Sequence, residues 1–206
     1  MIGIVDLDMG NLRSISNAIA ATGNDARILN SPEGFEDVSH LILPGVGSYR
    51  QAMSHMAARG LDEPVRSFAA SGRPLLGLCL GMELLATSGD EGGFGDGVGL
   101  ITGHVRRFDE AKVPSIPHVG WNDVHFARAH PVLGGVRDGV DFYFVHSFFF
   151  DVDRDSDVLG RVEYGGSEYA AIVANDNVLG FQFHPEKSQR NGLRLLENFC
   201  DWDGSC

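Results

Sequence analysis

The sequence of 206 residues contains only three cysteines and no long apolar run. Cys79, Cys200 and Cys206 form no even set and no metal-ligand spacing, which argues against a disulfide framework and a zinc site. We therefore expect no metal and no cofactor. Because no stretch approaches the roughly 20 apolar residues that cross a bilayer, we expect no membrane partner.

The chain is also poor in positive charge. It has 16 Lys and Arg against 28 Asp and Glu, a net charge of −12, and no run of basic residues. This balance argues against nucleic acid or an anionic membrane surface as the principal partner. A predicted strand, Ile2–Asp6, begins straight after Met1, so we expect no signal peptide and a cytoplasmic location.

The two halves of the chain show different patterns. The first half alternates short apolar runs with helical periodicity, which is typical of parallel strands with helices on both faces. Its predicted strands are Ile2–Asp6, Leu41–Leu43 and a run ending at Cys79, and its helices are Asn11–Thr22, one through Tyr49 and Met56, and Leu61–Ala70. The second half is predicted as strands followed by a closing helix, with strands at Val98–Phe108, Trp121–Phe126, Asp141–Phe150, Leu159–Tyr164, Tyr169–Ala174 and Val178–Phe183. We predict a single α/β domain over residues 1–206, with a mostly parallel central sheet and antiparallel additions in the C-terminal half.

The most specific local pattern is Gly77-Leu78-Cys79-Leu80-Gly81, which follows an apolar run. Glycines two residues either side of the cysteine allow a tight turn from strand to helix, because a side chain there would collide with backbone. Such a turn pushes the thiol out of the sheet, and the helix N-terminus below it favours the thiolate. For this pattern alone, a buried and inert thiol remains the alternative.

A second pattern supplies a base. The predicted strand through Phe183 leads to His184-Pro185-Glu186, an imidazole with a carboxylate two residues on to orient it. Together with Cys79 these side chains indicate a Cys-His-Glu site for acyl transfer. The backbone amide of Leu80 and one from the loop 44–47 are candidate donors to an oxyanion. All these residues follow predicted strands, and ligands bind beyond the carboxyl ends of such strands, so we expect one shared crevice.

Over nearly its whole length the chain resembles the class I glutamine amidotransferases. The cysteine and histidine motifs mark that family. Three further motifs resemble the branch that forms the glutaminase subunits of imidazole glycerol phosphate synthases, namely MGNLRS at 9–14, PHVGWN at 117–122 and FVHS at 144–147. The resemblance implies that Cys79 attacks the side-chain amide of glutamine and releases ammonia. It implies a glutamyl thioester that water then hydrolyses.

The resemblance also implies roles for further residues. The oxyanion donors would be the backbone amides of Val46 and Leu80. Glutamine would be held around Gly45, Gly47, Glu83, Ser147 and Phe148. The implied partner is a cyclase subunit with a (β/α)₈ barrel, which receives the ammonia within a heterodimer. The positions that would face it are Asn11, Trp121, Tyr143 and Lys187, although core packing is the alternative for Trp121 and Tyr143.

Two positions depart from the family pattern. Glu83 stands where the family usually has glutamine, and Phe148-Phe149-Phe150 stands where tyrosines are commoner. An amide donates and accepts hydrogen bonds, whereas an ionised carboxylate only accepts, so we expect weaker glutamine binding unless Glu83 is protonated or turned away. These departures leave two alternatives: a paralogue supplying ammonia to another synthase, and a catalytically silent regulatory subunit.

Overall fold

The computed structural model describes residues 1–205, and Cys206 lies outside the described residues. The strands are β1 Ile2–Val5, β2 Ala26–Leu29, β3 His40–Gly45, β4 Leu75–Cys79, β5 Ser88–Gly89, β6 Gly95–Asp96, β7 Gly103–Arg107, β8 His118–Phe126, β9 Val140–His146, β10 Phe148–Val152, β11 Val158–Tyr164, β12 Ser167–Asn175 and β13 Val178–Phe181. The helices are α1 Leu12–Ala21, α2 Tyr49–Ala58, α3 Asp62–Ala70, α4 Leu80–Leu84 and α5 Gln189–Asp201. Within residues 1–205, no helix is both long enough and apolar enough to span a membrane.

The central sheet has nine strands in the order β2-β1-β3-β4-β13-β12-β11-β8-β9. The pairings from β2 through β4 to β13 are parallel, and those from β13 to β9 are antiparallel. This order confirms the predicted α/β sheet with antiparallel additions in the C-terminal half. The late strand β13 lies between β4 and β12 and therefore joins the two halves.

Two apolar clusters cover the two faces of the central sheet. One cluster contains Val5 with side chains of α2 and α3, and the other contains Ile4 with side chains of α1 and α5. Successive residues of a strand point to opposite faces, so a fully apolar strand such as β1 serves both clusters at once. Helices on both faces, as predicted, therefore follow from strands that are buried on both sides.

The predicted strand Asp141–Phe150 is wrong as a single element, because it breaks at Ser147 into β9 and β10. Strand β9 stays in the central sheet, whereas β10 joins a second sheet of four strands in the order β10-β7-β5-β6. At the break, Nδ1 of His146 donates to the carbonyl of Phe148 over 2.6 Å. This bond from side chain to backbone accompanies the bend that moves the chain from one sheet to the other.

The predicted strand Val98–Phe108 is also too long, because only Gly103–Arg107 is a strand. The amides of Val98 and Leu100 instead donate to the carbonyls of Leu84 and Leu85. The apolar residues before β7 thus form hydrogen bonds with the C-terminal end of α4 instead of joining a sheet. Sequence analysis missed β2, a four-residue edge strand with two exposed residues and hence little apolar periodicity.

Candidate active site

Cys79 lies at the sharp turn between β4 and α4. Its backbone has φ +52° and ψ −112°, a conformation that costs on the order of 1–3 kcal/mol for a residue with a side chain. A Cβ on Gly81 would lie 1.7 Å from the carbonyl oxygen of Leu43, and one on Gly77 would lie 2.5 Å from that of Gly81. The predicted need for glycine on both sides of the cysteine is thereby confirmed.

The thiol of Cys79 is buried, with 6% of the residue exposed. Burial raises its pKa, and Glu83 adds to this when it is ionised, while the backbone amide of Leu80 works in the opposite direction. The amide at the helix N-terminus acts in the predicted direction, but burial outweighs it and keeps the thiol protonated in the isolated chain. Helix α4 has only five residues, so few aligned peptide groups contribute to its dipole. A base must remove this proton before the sulfur can act as a nucleophile.

His184 supplies such a base at the end of the segment that follows β13. Its backbone amide donates to the carbonyl of Tyr143 over 2.9 Å, and its ring Nδ1 lies 2.9 Å from Oε1 of Glu186. Glu186 sits in a single 3-10 turn, Pro185–Lys187, which brings its carboxylate back to the ring. A carboxylate partner fixes the proton on Nδ1 and leaves Nε2 as a proton acceptor. Among residues 1–205, Nε2 has no hydrogen-bond partner.

A cavity of about 280 Å³ brings most of the predicted site residues together. Those that line it are Val46, Gly47, Cys79, Leu80, Glu83, Ser147, Phe148, His184 and Lys187. Two predicted residues lie behind its wall: Glu186 supports His184, and Gly45 pairs with Cys79 in the register of β3 and β4. The predicted crevice at converging strand ends is thus present as a physical cavity. Lys187, predicted only at the partner surface, belongs to its lining as well.

The lining also contains Glu91, Val145 and His146, which sequence analysis did not select. Glu91 directly precedes the glycine-rich stretch 92–99, and Oε2 of Glu91 accepts from the backbone amide of Tyr49 over 2.7 Å at the start of α2. In the sequence Glu91 shows only as a carboxylate beside a pair of glycines, and that pattern does not predict a residue lining a cavity. His146 lies within the FVHS motif, but its place in the wall follows from the bend at Ser147.

Glu83 is 4% exposed, and its Oε1 accepts from Nε2 of Gln182 over 3.0 Å. Burial raises the pKa of Glu83 to about 8, the carboxylate of Glu91 adds to this, and the Gln182 amide works in the opposite direction. No cation pairs with Glu83 among residues 1–205. At pH 7 and below the group is therefore predominantly a neutral carboxylic acid, which is one of the two conditions under which glutamine binding is expected to survive.

Three of the predicted partner-facing residues form one cluster. The ring of Trp121 is 45% exposed and packs edge-on against Tyr143 at 5.9 Å between centroids. Nζ of Lys187 lies 5.8 Å from the centroid of the Tyr143 ring. Asn11 is the N-cap of α1, a helix that contacts the turn Pro185–Lys187. The exposed Trp121 ring is not a core residue, and the cluster reaches the cavity through Lys187.

Comparisons with known proteins agree with the fold and the motifs. A family model described as glutamine amidotransferase class-I matches residues 4–202. The chain is 46% identical over 202 residues to imidazole glycerol phosphate synthase subunit HisH of Sulfurimonas denitrificans, which covers 97% of both chains. It is 45% identical over 210 residues to imidazole glycerol phosphate synthase subunit HisH 2 of Nitrobacter winogradskyi, which covers 98% of both chains. Among solved structures, PurLQS from Thermotoga maritima shares the fold, with a TM-score of 0.77, 18% identity and 97% coverage of both chains.

Proposed function

Because the chain belongs to the class I glutamine amidotransferase family, we propose that it is the glutaminase subunit of an imidazole glycerol phosphate synthase. It hydrolyses glutamine to glutamate and ammonia, and the ammonia serves histidine biosynthesis. The observation that carries the chemistry is one cavity that contains both a buried thiol and an imidazole oriented by a carboxylate. The relatives that carry this subunit name match the chain over almost its full length.

Thioester formation begins with Cys79 as the nucleophile. Its sulfur attacks the carbonyl carbon of the glutamine side chain, and Nε2 of His184 takes the thiol proton as the sulfur–carbon bond forms. This transfer is required because burial keeps the thiol protonated. Glu186 holds the other ring proton and stabilises the imidazolium once it has formed.

The same imidazole then completes the reaction. The His184 imidazolium protonates the amide nitrogen, the carbon–nitrogen bond breaks, and ammonia leaves a glutamyl thioester on Cys79. Water gives a proton to Nε2 and attacks the thioester, and the departing sulfur regains that proton as glutamate forms. The amides of Val46 and Leu80 donate to the oxyanion at both steps. In support, the Leu80 amide lies next to Cys79 at the start of α4 and lowers the pKa of its thiol, and Val46 follows the residue that pairs with Cys79.

The amino-acid end of glutamine binds at the wall formed by Gly47, Glu83, Ser147 and Phe148. In its neutral form Glu83 offers one hydroxyl donor and one carbonyl acceptor, the same pair of functions as the amide it replaces. Phe148 contributes backbone contacts, which do not depend on a phenolic hydroxyl. The replacement of glutamine by Glu83 is therefore compatible with substrate binding below about pH 8.

The ammonia passes to a cyclase subunit with a (β/α)₈ barrel, which binds this chain as a heterodimer. Asn11, Trp121, Tyr143 and Lys187 form the contact surface. An exposed tryptophan supported by a second aromatic ring is typical of the residues that dominate binding energy at interfaces. Because Lys187 contacts Tyr143 and also lines the cavity, a partner bound here acts directly on the wall of the site.

The decisive experiment measures glutamate release from glutamine by the purified chain. It is run alone and with the cyclase subunit of an imidazole glycerol phosphate synthase plus its nucleotide ligand, with Cys79→Ala as the matched control. We expect low turnover alone, strong stimulation by the liganded cyclase and none in the control. A parallel reaction with a glutamine-mimicking electrophile tests whether Cys79 is alkylated.

Other outcomes overturn the assignment in different ways. Alkylation of Cys79 without turnover in either state would indicate a different synthase as the partner. Neither alkylation nor turnover would mean that the pocket does not accept glutamine, and the chain would then be a silent regulatory subunit.

A further inference from the structure

Two buried histidines, His118 and His146, stand in a row beside the cavity. Nδ1 of His118 lies 3.0 Å from Nε2 of His146, and Nε2 of His118 lies 3.2 Å from Oδ1 of Asn122. The row ends at two backbone carbonyls: Nδ1 of His146 lies 2.6 Å from that of Phe148, and Nδ2 of Asn122 lies 3.3 Å from that of Glu163. Three side chains thus join the cavity wall to the backbone of β11 at Glu163.

The row is one proton short of a full set of hydrogen bonds. Carbonyl oxygens at both ends only accept, so four bonds need four protons directed along the row. Two neutral imidazoles supply one proton each, and the amide of Asn122 supplies one toward Glu163. The shortest bond is the one to Phe148, which requires the His146 proton on Nδ1. His118 then has one proton for two acceptors, and the closer contact, 3.0 Å to His146 against 3.2 Å to Asn122, favours donation to His146, so that the missing proton falls between His118 and Asn122.

Burial keeps both imidazoles neutral, since it lowers the pKa of His118 and lowers that of His146 to about 3. The ring of His118 is also fixed in orientation. It stacks on Tyr164 with 4.0 Å between centroids and on Phe144 with 4.9 Å. A neutral ring held in this way presents the same nitrogen to His146 at all times.

We propose that His118 is a positioning residue for the glutamine pocket, because it donates to Nε2 of His146 and so keeps the His146 proton on Nδ1. From Nδ1 that proton holds the carbonyl of Phe148 and with it the bend at Ser147. Without the donor on His118, His146 is free to carry its proton on Nε2 instead. The Phe148 carbonyl then loses its partner, and the wall formed by Ser147 and Phe148 is no longer held against the substrate.

The first test is ¹⁵N NMR of the imidazole nitrogens in the glutamine-free native chain. We expect His146 to be protonated on Nδ1 and unprotonated on Nε2 at neutral pH. His146 protonated on Nε2 would overturn the proposal whatever the activity. The measurement needs no substrate, so it stands apart from the proposed function, on which only the kinetic test rests.

The kinetic test compares His118→Phe with His118→Gln in the complex with the liganded cyclase. Phenylalanine keeps a ring between Phe144 and Tyr164 but has no donor, whereas glutamine retains a donor. For His118→Phe we expect KM for glutamine to rise about three- to tenfold, as for the loss of one hydrogen bond, with a smaller change in kcat. His118→Gln should restore KM to near the native value.

Equal KM values for the native chain and His118→Phe would contradict the positioning role. So would equal losses in both variants, since a role in packing alone would not distinguish a donor from its absence. If His118→Phe fails to fold, the His146 tautomer in the native chain and in His118→Gln decides the question. If the native complex releases no glutamate, the proposed function fails, and the tautomer measurement still tests the arrangement.

Discussion

Two buried carboxyl groups, Glu83 in the wall of the candidate site and Glu186 behind His184, differ in the partner each one faces. Glu186 lies 2.9 Å from Nδ1 of His184, and Glu83 lies 3.0 Å from Nε2 of Gln182. The two hydrogen bonds are nearly equal in length. Histidine can become a cation and glutamine cannot, so Glu186 orients a base while Glu83 retains its own proton. The capacity of the partner to carry charge, rather than distance, separates the two roles.

Replacing each carboxyl group by the corresponding amide should distinguish the roles of Glu186 and Glu83 most clearly. In Glu186→Gln the partner of Nδ1 no longer stabilises an imidazolium, so we expect kcat to fall by about a hundredfold to ten-thousandfold. Glutamate release in the presence of the liganded cyclase measures this loss. Glu83→Gln is the matched control and should stay within a few fold of the native chain at pH 7. A similar loss in both variants would mean that the two carboxyls share one role.

Stability should depend on pH through Glu83. Its pKa rises from an ordinary 4.5 to about 8 on folding, so between these values the folded chain holds a proton that the unfolded chain has lost. This contribution therefore falls as pH rises toward 8, by at most about 1.4 kcal/mol per pH unit. Relative to the native chain, Glu83→Gln should gain roughly 2–3 kcal/mol between pH 5.5 and 7.5, as measured by urea unfolding at both values. A difference that does not change with pH would show that Glu83 is ionised in the fold.

Ionisation of Glu83 should also lower the activity, but by less in free energy than it changes the stability. One unit above a pKa of about 8, roughly nine-tenths of Glu83 is ionised, so we expect kcat/KM for glutamine to fall about tenfold by pH 9. The informative quantity is the ratio of native to Glu83→Gln kcat/KM from pH 6.5 to 9.5, because ionisations elsewhere in the site affect both proteins alike and cancel in the ratio. A constant ratio would exclude Glu83 as the source of an alkaline decline.

The smallest expected effect comes from the partner of Glu83. The Gln182 amide lowers the pKa of Glu83, so Gln182→Met should raise that pKa further and move the alkaline decline to higher pH. The same pH series measures the shift, with Glu83→Gln/Gln182→Met as the control that lacks the titrating group. Movement toward lower pH would mean that the amide favours the neutral acid instead.

The turn at Cys79 could be predicted from sequence because its constraint is local and steric. Gly77 and Gly81 have no room for a Cβ, and only one residue separates each from the cysteine. The pairing of His184 with Glu186 could be predicted for the same reason, since one short turn joins them. The spacing of residues in a motif directly reveals such constraints between near neighbours in the sequence.

The protonation states could not be predicted, because they depend on burial that distant segments provide. From the sequence, Cys79 lies at the N-terminus of a helix, which favours the thiolate. In the fold its sulfur is buried against the backbone of Val145, and burial removes the water that a thiolate needs. The break at Ser147 is hidden for another reason. The run Phe148–Phe150 has the composition of a continuing strand, and only the bond from His146 to Phe148 marks the change of sheet.

The place of β13 in the sheet has a consequence for synthesis of the chain. Val178 pairs with Leu75, so a growing polypeptide that has not reached β13 leaves one edge of β4 unpaired. Such an edge invites association with other chains, and pairing across so long a sequence separation is slow to form. The incomplete polypeptide already contains Cys79 but lacks His184, so it cannot hydrolyse glutamine. Glutamine hydrolysis therefore reports only on molecules that have been synthesised and folded through β13, their last strand.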